Sequence, residues 1–201
     1  MWTMLGWPNI LTMLRIGMIP IFILIFYLPF AWAHYVAAVI FAVACLTDWL
    51  DGFLARKLHQ LSSFGAFFDP VADKLLVASS LILLVAAPNL QLITLPAVVI
   101  VGREIVVSAL REWMAAIGQR TSVAVSYVGK VKTAMQMVAI TLLIACQQSM
   151  SWCGILGTAL LYLAAILTIW SMVEYLKIAW PELMRVPAEE GPKKSEDSLD
   201  S

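Results

Sequence analysis

Charge is what this chain has little of. Only 13% of its 201 residues are Asp, Glu, Lys or Arg, about half the share of a soluble domain. From Ile16 to Thr47 there is none, and from Leu75 to Gly102 there is none again. With 62% hydrophobic residues and a mean hydropathy of +0.88, this excludes a soluble globular protein. Strict alternation of apolar and polar residues is missing too: the apolar runs are continuous, which excludes a β-barrel. Net charge is absent, since thirteen Lys and Arg balance thirteen Asp and Glu, and no nucleic-acid partner is expected. The three cysteines, Cys45, Cys146 and Cys153, lack metal-ligand spacing. Cys146 and Cys153 fall near the outer membrane face, where a disulfide is conceivable, but free apolar packing residues are the expectation. A basic leader with a small-residue cleavage site is also missing, so no removable signal peptide is expected.

What remains is a set of apolar stretches long enough to cross roughly 30 Å of hydrocarbon as helices. They fall at about 9–28, 32–56, 69–87, 92–115, 125–146 and 154–179. The expected fold is therefore an all-α polytopic membrane protein of about six transmembrane helices. Its folded part covers 1–186, and 187–201, rich in Pro, Gly, Ser and acidic residues, forms a disordered tail. The linkers near 29–31, 88–91 and 147–153 contain no Lys or Arg. Lys57, Arg111, Arg120, Lys130 and Lys132 cluster around the alternate linkers, and Lys177, Arg185, Lys193 and Lys194 follow at the C-terminal end. The positive-inside rule then puts both termini on the cytoplasmic side. Trp2 and Trp7 flank the first span as interfacial anchors, and Pro8-Asn9 reads as a helix start.

The few charges present are patterned. Asp48-x-x-Asp51-Gly52-x-x-Ala55-Arg56 is followed, eight residues later, by Gly65-x-x-x-Asp69-x-x-x-Asp73. Ionisable groups at the end of membrane spans are expensive and are functional-site candidates by default. On a helix, residues three or four apart share a face, so each aspartate pair points one way. A short connection makes the two helices antiparallel neighbours whose pairs converge. Four carboxylates that close need a counterion, and hard divalent cations with oxygen ligands, Mg²⁺ or Mn²⁺, supply it together with substrate phosphates. Gly52, Ala55 and Gly65 leave room for a bulky phosphorylated ligand, and Arg56 offers a planar fork. Asp69-Pro70 reads as an N-cap followed by proline at the first helical position. The plainer reading has each Asp capping a helix or pairing with Lys74, Arg56 or Lys57. An ion pathway through a transporter is a further alternative, although all four aspartates lie at one membrane end.

The full pattern resembles the signature of the CDP-alcohol phosphotransferase family, at all eight of its fixed positions. The resemblance implies six transmembrane helices, usually a homodimer, with a site open to the cytoplasm. It also implies that a hydroxyl attacks the lipid-side phosphorus of a CDP-activated donor and that CMP leaves. By the same resemblance, Asp48, Asp51, Asp69 and Asp73 hold the metals, two ions per site, and Asp73 is the general base. Gly52, Ala55, Arg56 and Gly65 then shape the nucleotide pocket.

Acceptor clues lie further along. Arg103, Arg111, Lys130 and Lys132 stand at the membrane level of the aspartates, with Arg103 about two turns inside its span. Such a set suits an acceptor bearing a phosphate monoester, and positive-inside anchoring is its plainer reading. Asn9-x-x-Thr12-x-x-Arg15, Gly102-Arg103-Glu104, Arg111-Glu112-Trp113 and Gly129-Lys130-Val131-Lys132-Thr133 are similar to the family members that use sn-glycerol 3-phosphate, a likeness running from about Asn9 to Tyr175. It implies CDP-diacylglycerol and sn-glycerol 3-phosphate as substrates in a bacterial inner membrane, with membrane lipids around the enzyme. Inositol phosphate is the alternative acceptor. Asn9 and Thr12 are candidates for donor binding, against a capped helix start with a snorkelling Arg15.

Overall fold

The computed structural model describes residues 7–30, 32–58, 63–117, 127–146 and 151–184, with side chains left aside at 7–9, 11, 49–58, 63–64, 66, 127–130, 178 and 182–183. Within those residues the chain is helical without strands. The helices are α1 (Trp7–Phe26), α2 (Ala33–Leu58), α3 (Ser63–Ala86), α4 (Thr94–Ala116), α5 (Tyr127–Ala145) and α6 (Trp152–Leu183), with a 3-10 turn at Gln91–Ile93 before α4. Two segments, Gln91–Ala116 and Trp152–Lys177, are long and apolar enough to cross a membrane by length and composition.

Burial follows helical periodicity. Thr12, Arg15, Ile19, Phe22 and Phe26 make one buried stripe on α1, whereas Met13, Leu14, Ile21 and Leu24 on its other side are exposed. Large apolar residues turned outward on most helices are what a lipid-facing surface requires and what a water-facing one avoids. Phe22 stacks obliquely on Phe41 with ring centroids 6.1 Å apart, and Phe26 meets His34 edge-on at 5.8 Å. These contacts, with Arg15 against Asp48, run α1 and α2 antiparallel. α4 and α6 run parallel, since Leu92 meets Tyr162, Arg103 meets Ser171 and Arg111 meets Tyr175.

α5 and α6 share the most extensive packing, α1 packs on both α2 and α3, and α2 also packs on α5. The α6 face buries Gly154, Gly157, Leu161, Ala164 and Thr168, so the small residues of this helix serve contacts inside the chain. Gly157 is required there, because a Cβ would lie 2.9 Å from Leu143 Cγ and 3.3 Å from the Ala139 carbonyl oxygen.

Three expectations change. The third helix begins at Ser63, so Asp69-Pro70 is not its cap: Pro70 lies inside α3. Starting earlier aligns Gly65, Asp69 and Asp73 at four-residue spacing on one face, at the expense of the one backbone hydrogen bond that proline cannot donate. Cys146 and Cys153 are not free but joined as a disulfide, with Cα atoms 6.1 Å apart. The neighbouring ends of α5 and α6 hold the two positions within bridging reach. Finally, α2 and α3 touch, but each makes more of its contact with α1, so the two aspartate-bearing helices are joined largely through the first helix.

Candidate active site

The first turns of α1, the last half of α2 and the first half of α3 meet at one end of the bundle. Thr12 and Arg15, three residues apart, point from α1 in the same direction. The Thr12 hydroxyl donates to Asp69 Oδ1 at 2.5 Å, and Arg15 Nη1 donates to Asp48 Oδ1 at 2.6 Å. Thr12 is fully buried and Arg15 is 1% exposed. Arg15 is thus no snorkelling cation; its guanidinium is the buried counterion of Asp48. Its spacing from Asn9 and Thr12 was visible in the sequence, yet only the packing of α1 against α2 shows what it reaches.

Asp73 lies one turn beyond Asp69 on α3 and is partly buried. Its carboxylate feels the negative charges of Asp48 and Glu104 and the positive charges of Arg15 and Lys74, and Asp48 in turn is repelled by Asp69. Asp48, Asp69 and Asp73 therefore form one electrostatic cluster. Gly65 is buried two turns before Asp73 on the same face. Among the described residues no three His, Cys, Asp or Glu side chains converge as metal ligands. The side chain of Asp51 lies outside the described residues, as do those of Asn9, Ala55, Arg56 and Lys130, and the surroundings of Gly52.

A second, basic cluster adjoins the first. Arg103 sits nine residues from the start of α4 at Thr94 and thirteen from its end at Ala116, deeper than the two turns expected. Its Nη1 donates to Glu104 Oε1 at 2.7 Å and its Nη2 to Ser171 Oγ of α6 at 3.1 Å. Lys132 of α5 places its ammonium 3.7 Å from the same Glu104 oxygen. Arg111 donates to Tyr175 Oη at 2.9 Å and lies 5.3 Å over that ring, a cation–π contact. Lys132 feels the positive charges of both Arg103 and Arg111, so three of the four predicted cations share one region. Among the described residues, Lys74 makes no salt bridge to an aspartate. It donates to Ser108 Oγ at 2.5 Å, and Ser108 donates to the Glu104 carbonyl oxygen, which ties α3 to the basic helix.

Chemically, one bundle end offers a group of carboxylates suited to hard cations beside buried cations suited to a phosphate. The sequence pattern of the family described as CDP-alcohol phosphatidyltransferase matches residues 5–170. Proteins named CDP-diacylglycerol–glycerol-3-phosphate 3-phosphatidyltransferase from Salmonella paratyphi A, Salmonella typhi and Escherichia coli K12 are each 51% identical to this chain over 177 residues, covering 88% of it and 96% of their own length.

Proposed function

Because the chain belongs to the CDP-alcohol phosphatidyltransferase family, we propose that it transfers the phosphatidyl group of CDP-diacylglycerol to sn-glycerol 3-phosphate. The products are phosphatidylglycerol phosphate and CMP. The relatives at 51% identity carry this activity in their names. The observation that best supports it in this chain is the adjacency of the two clusters, with Asp73 within electrostatic reach of Glu104, the carboxylate that Arg103 and Lys132 face.

In this reading the phosphate of the acceptor is gripped by Arg103 and Lys132, with Arg111 and Lys130 adding positive charge. That grip leaves the acceptor's free hydroxyl end towards α3. Asp73 takes the hydroxyl proton as the new P–O bond forms to the lipid-side phosphorus, and the pyrophosphate P–O bond breaks with its electrons leaving on CMP. An alcohol is a poor nucleophile at neutral pH, so a base within hydrogen-bond reach is needed. Gly52, Ala55, Arg56 and Gly65 accommodate the nucleotide, with Asn9 and Thr12 at its edge.

The family is metal-dependent, and Asp48, Asp51, Asp69 and Asp73 would hold the metal. The fit rests on the donor chemistry: Asp48, Asp69 and Asp73 offer only carboxylate oxygens, and Asp48 is repelled by both of the others. Hard divalent cations bound there supply neutralisation of the pyrophosphate and of the charge developing on CMP. Arg15 and Thr12 keep Asp48 and Asp69 oriented from the side of α1. We further place all six helices across a bacterial inner membrane, with this end of the bundle cytoplasmic, as the distribution of Lys and Arg supports.

The test is CMP release by purified protein in detergent with Mg²⁺, CDP-diacylglycerol and one acceptor at a time. Release with sn-glycerol 3-phosphate is expected. Release only with inositol phosphate or another alcohol would overturn the acceptor while leaving the donor chemistry intact.

A further inference from the structure

A carboxylate in the middle of a phosphate pocket needs an explanation, because it repels the ligand the pocket is built for. Glu104 holds that position. Its Oε1 is shared by Arg103 of the same helix at 2.7 Å and by Lys132 of α5 at 3.7 Å. The two cations are almost sealed from solvent, their side chains 11% and 5% exposed, while that of Glu104 is 30% exposed. Two buried cations against one carboxylate leave one positive charge in excess, and the field of Arg111 adds to it. Buried charge without a partner is costly. Arg103 Nε is buried with no hydrogen-bond partner, so one donor of the fork remains for an incoming acceptor atom. Moreover, Asp73 repels Glu104, which weakens the hold of the carboxylate on its place.

We infer that Glu104 is a positioning residue that stands in for the acceptor's phosphate, holding Arg103 and Lys132 on one point until the phosphate displaces it. This rests on the acceptor reading given above. In the resting pocket one Glu104 oxygen occupies the place of a phosphate oxygen, so the two cations stay oriented rather than repelling each other apart. A phosphate monoester brings up to two negative charges and three acceptor oxygens, enough to satisfy Arg103, including Nε, and Lys132 together. The partly exposed Glu104 side chain then turns away towards solvent. A neutral alcohol cannot make that exchange, and the cations remain bound to Glu104. The residue thereby favours phosphorylated acceptors by competition as well as by attraction, a form of discrimination built from an unfavourable alternative.

The experiment uses the full-length protein in detergent without CDP-diacylglycerol. Inorganic phosphate and sn-glycerol 3-phosphate are titrated by calorimetry into wild type, Glu104→Gln and Glu104→Asp. Removing the internal competitor should tighten phosphate binding about three- to tenfold in Glu104→Gln, since charge-assisted contacts no longer have to be broken. Glu104→Asp, with its carboxylate drawn back by one methylene, should fall between that variant and wild type. In turnover, KM for sn-glycerol 3-phosphate should drop in Glu104→Gln with kcat little changed, because in the complex the phosphate itself holds the guanidinium. A merely structural role would lower the melting temperature and leave phosphate affinity unmoved. Unchanged or weaker phosphate binding in folded Glu104→Gln overturns the inference. If that variant does not fold, the same outcome in Glu104→Asp overturns it. Arg103→Gln separates the underlying reading: phosphate binding that survives this change shows that the acceptor pocket lies elsewhere, and the inference falls with it.

Discussion

Arg15 shows how much one buried side chain can organise. Its pair with Asp48 is asymmetric, with the arginine side chain fully buried and that of the aspartate 40% exposed. Breaking a fully buried pair costs about 3–5 kcal/mol, and solvent at Asp48 reduces this. Arg15→Met should therefore destabilise the protein by about 1–3 kcal/mol, measured as a lower melting temperature in detergent. Added Mg²⁺ should raise the melting temperature of Arg15→Met more than that of wild type, because a cation replaces the lost positive charge beside Asp48. An equal shift in both proteins would mean that Arg15 and the metal act on separate carboxylates. Asp73 belongs to the same scale. Asp73→Asn removes the proton acceptor and should lower kcat for CMP release by about 10²–10⁴-fold. Turnover near the wild-type rate would remove Asp73 from the role of base.

At the scale of elements, the α5–α6 hairpin is held by close contact at one level and by a covalent bond at its turn. Gly157→Ala would drive a methyl group to 2.9 Å from Leu143 Cγ and 3.3 Å from a backbone carbonyl. Neither neighbour is the loose tip of a long side chain, so the helices must separate. The expected loss is about 1–3 kcal/mol, read from the melting temperature, whereas Gly17→Ala, with nothing within 4 Å of the added carbon, should cost little. The Cys146–Cys153 bridge closes a short loop, seven residues in sequence separation. Its removal in a double Cys→Ser variant should cost about 2 kcal/mol on loop-entropy grounds. CMP release should survive, because the bridge caps the end of α5 remote from Lys132 and the start of α6 remote from Ser171. Loss of activity in folded double variant would show that the hairpin turn couples to the site.

Across the whole molecule, the arrangement divides labour between two groups of helices. Helices α2 and α3 carry the aspartates, oriented by α1, and α4 and α5 carry the pocket cations, partnered by Ser171 and Tyr175 of α6, with Lys74 and Ser108 bridging the groups. Chelation should accordingly abolish CMP release without dissociating sn-glycerol 3-phosphate from the basic pocket. The check is acceptor binding by calorimetry before and after EDTA, followed by Mg²⁺ or Mn²⁺ to see which restores turnover. Acceptor binding that disappears with the metal would mean that the two clusters form a single site.

Much of this protein was legible before any coordinates. The apolar runs dictate helices because a chain surrounded by lipid must satisfy its own backbone, and the described residues form six helices near the expected positions, with α3 starting six residues early. The placement of Asp69 and Asp73 on one face of α3 was readable as well, since a four-residue spacing imposes a shared face on any helix. What the spacing could not reveal is what stands opposite. Arg15 reaches Asp48 across 33 positions and Thr12 reaches Asp69 across 57, and no local rule encodes such contacts. The same holds for Glu104, read in the sequence as part of a motif and found between two cations from different helices. The true start of α3, the Cys146–Cys153 bridge and the inward use of Gly157 were likewise decided by packing. Periodicity acts along one helix, and the choice of neighbour is made by the fit of side chains between helices, which exists only once the bundle has closed.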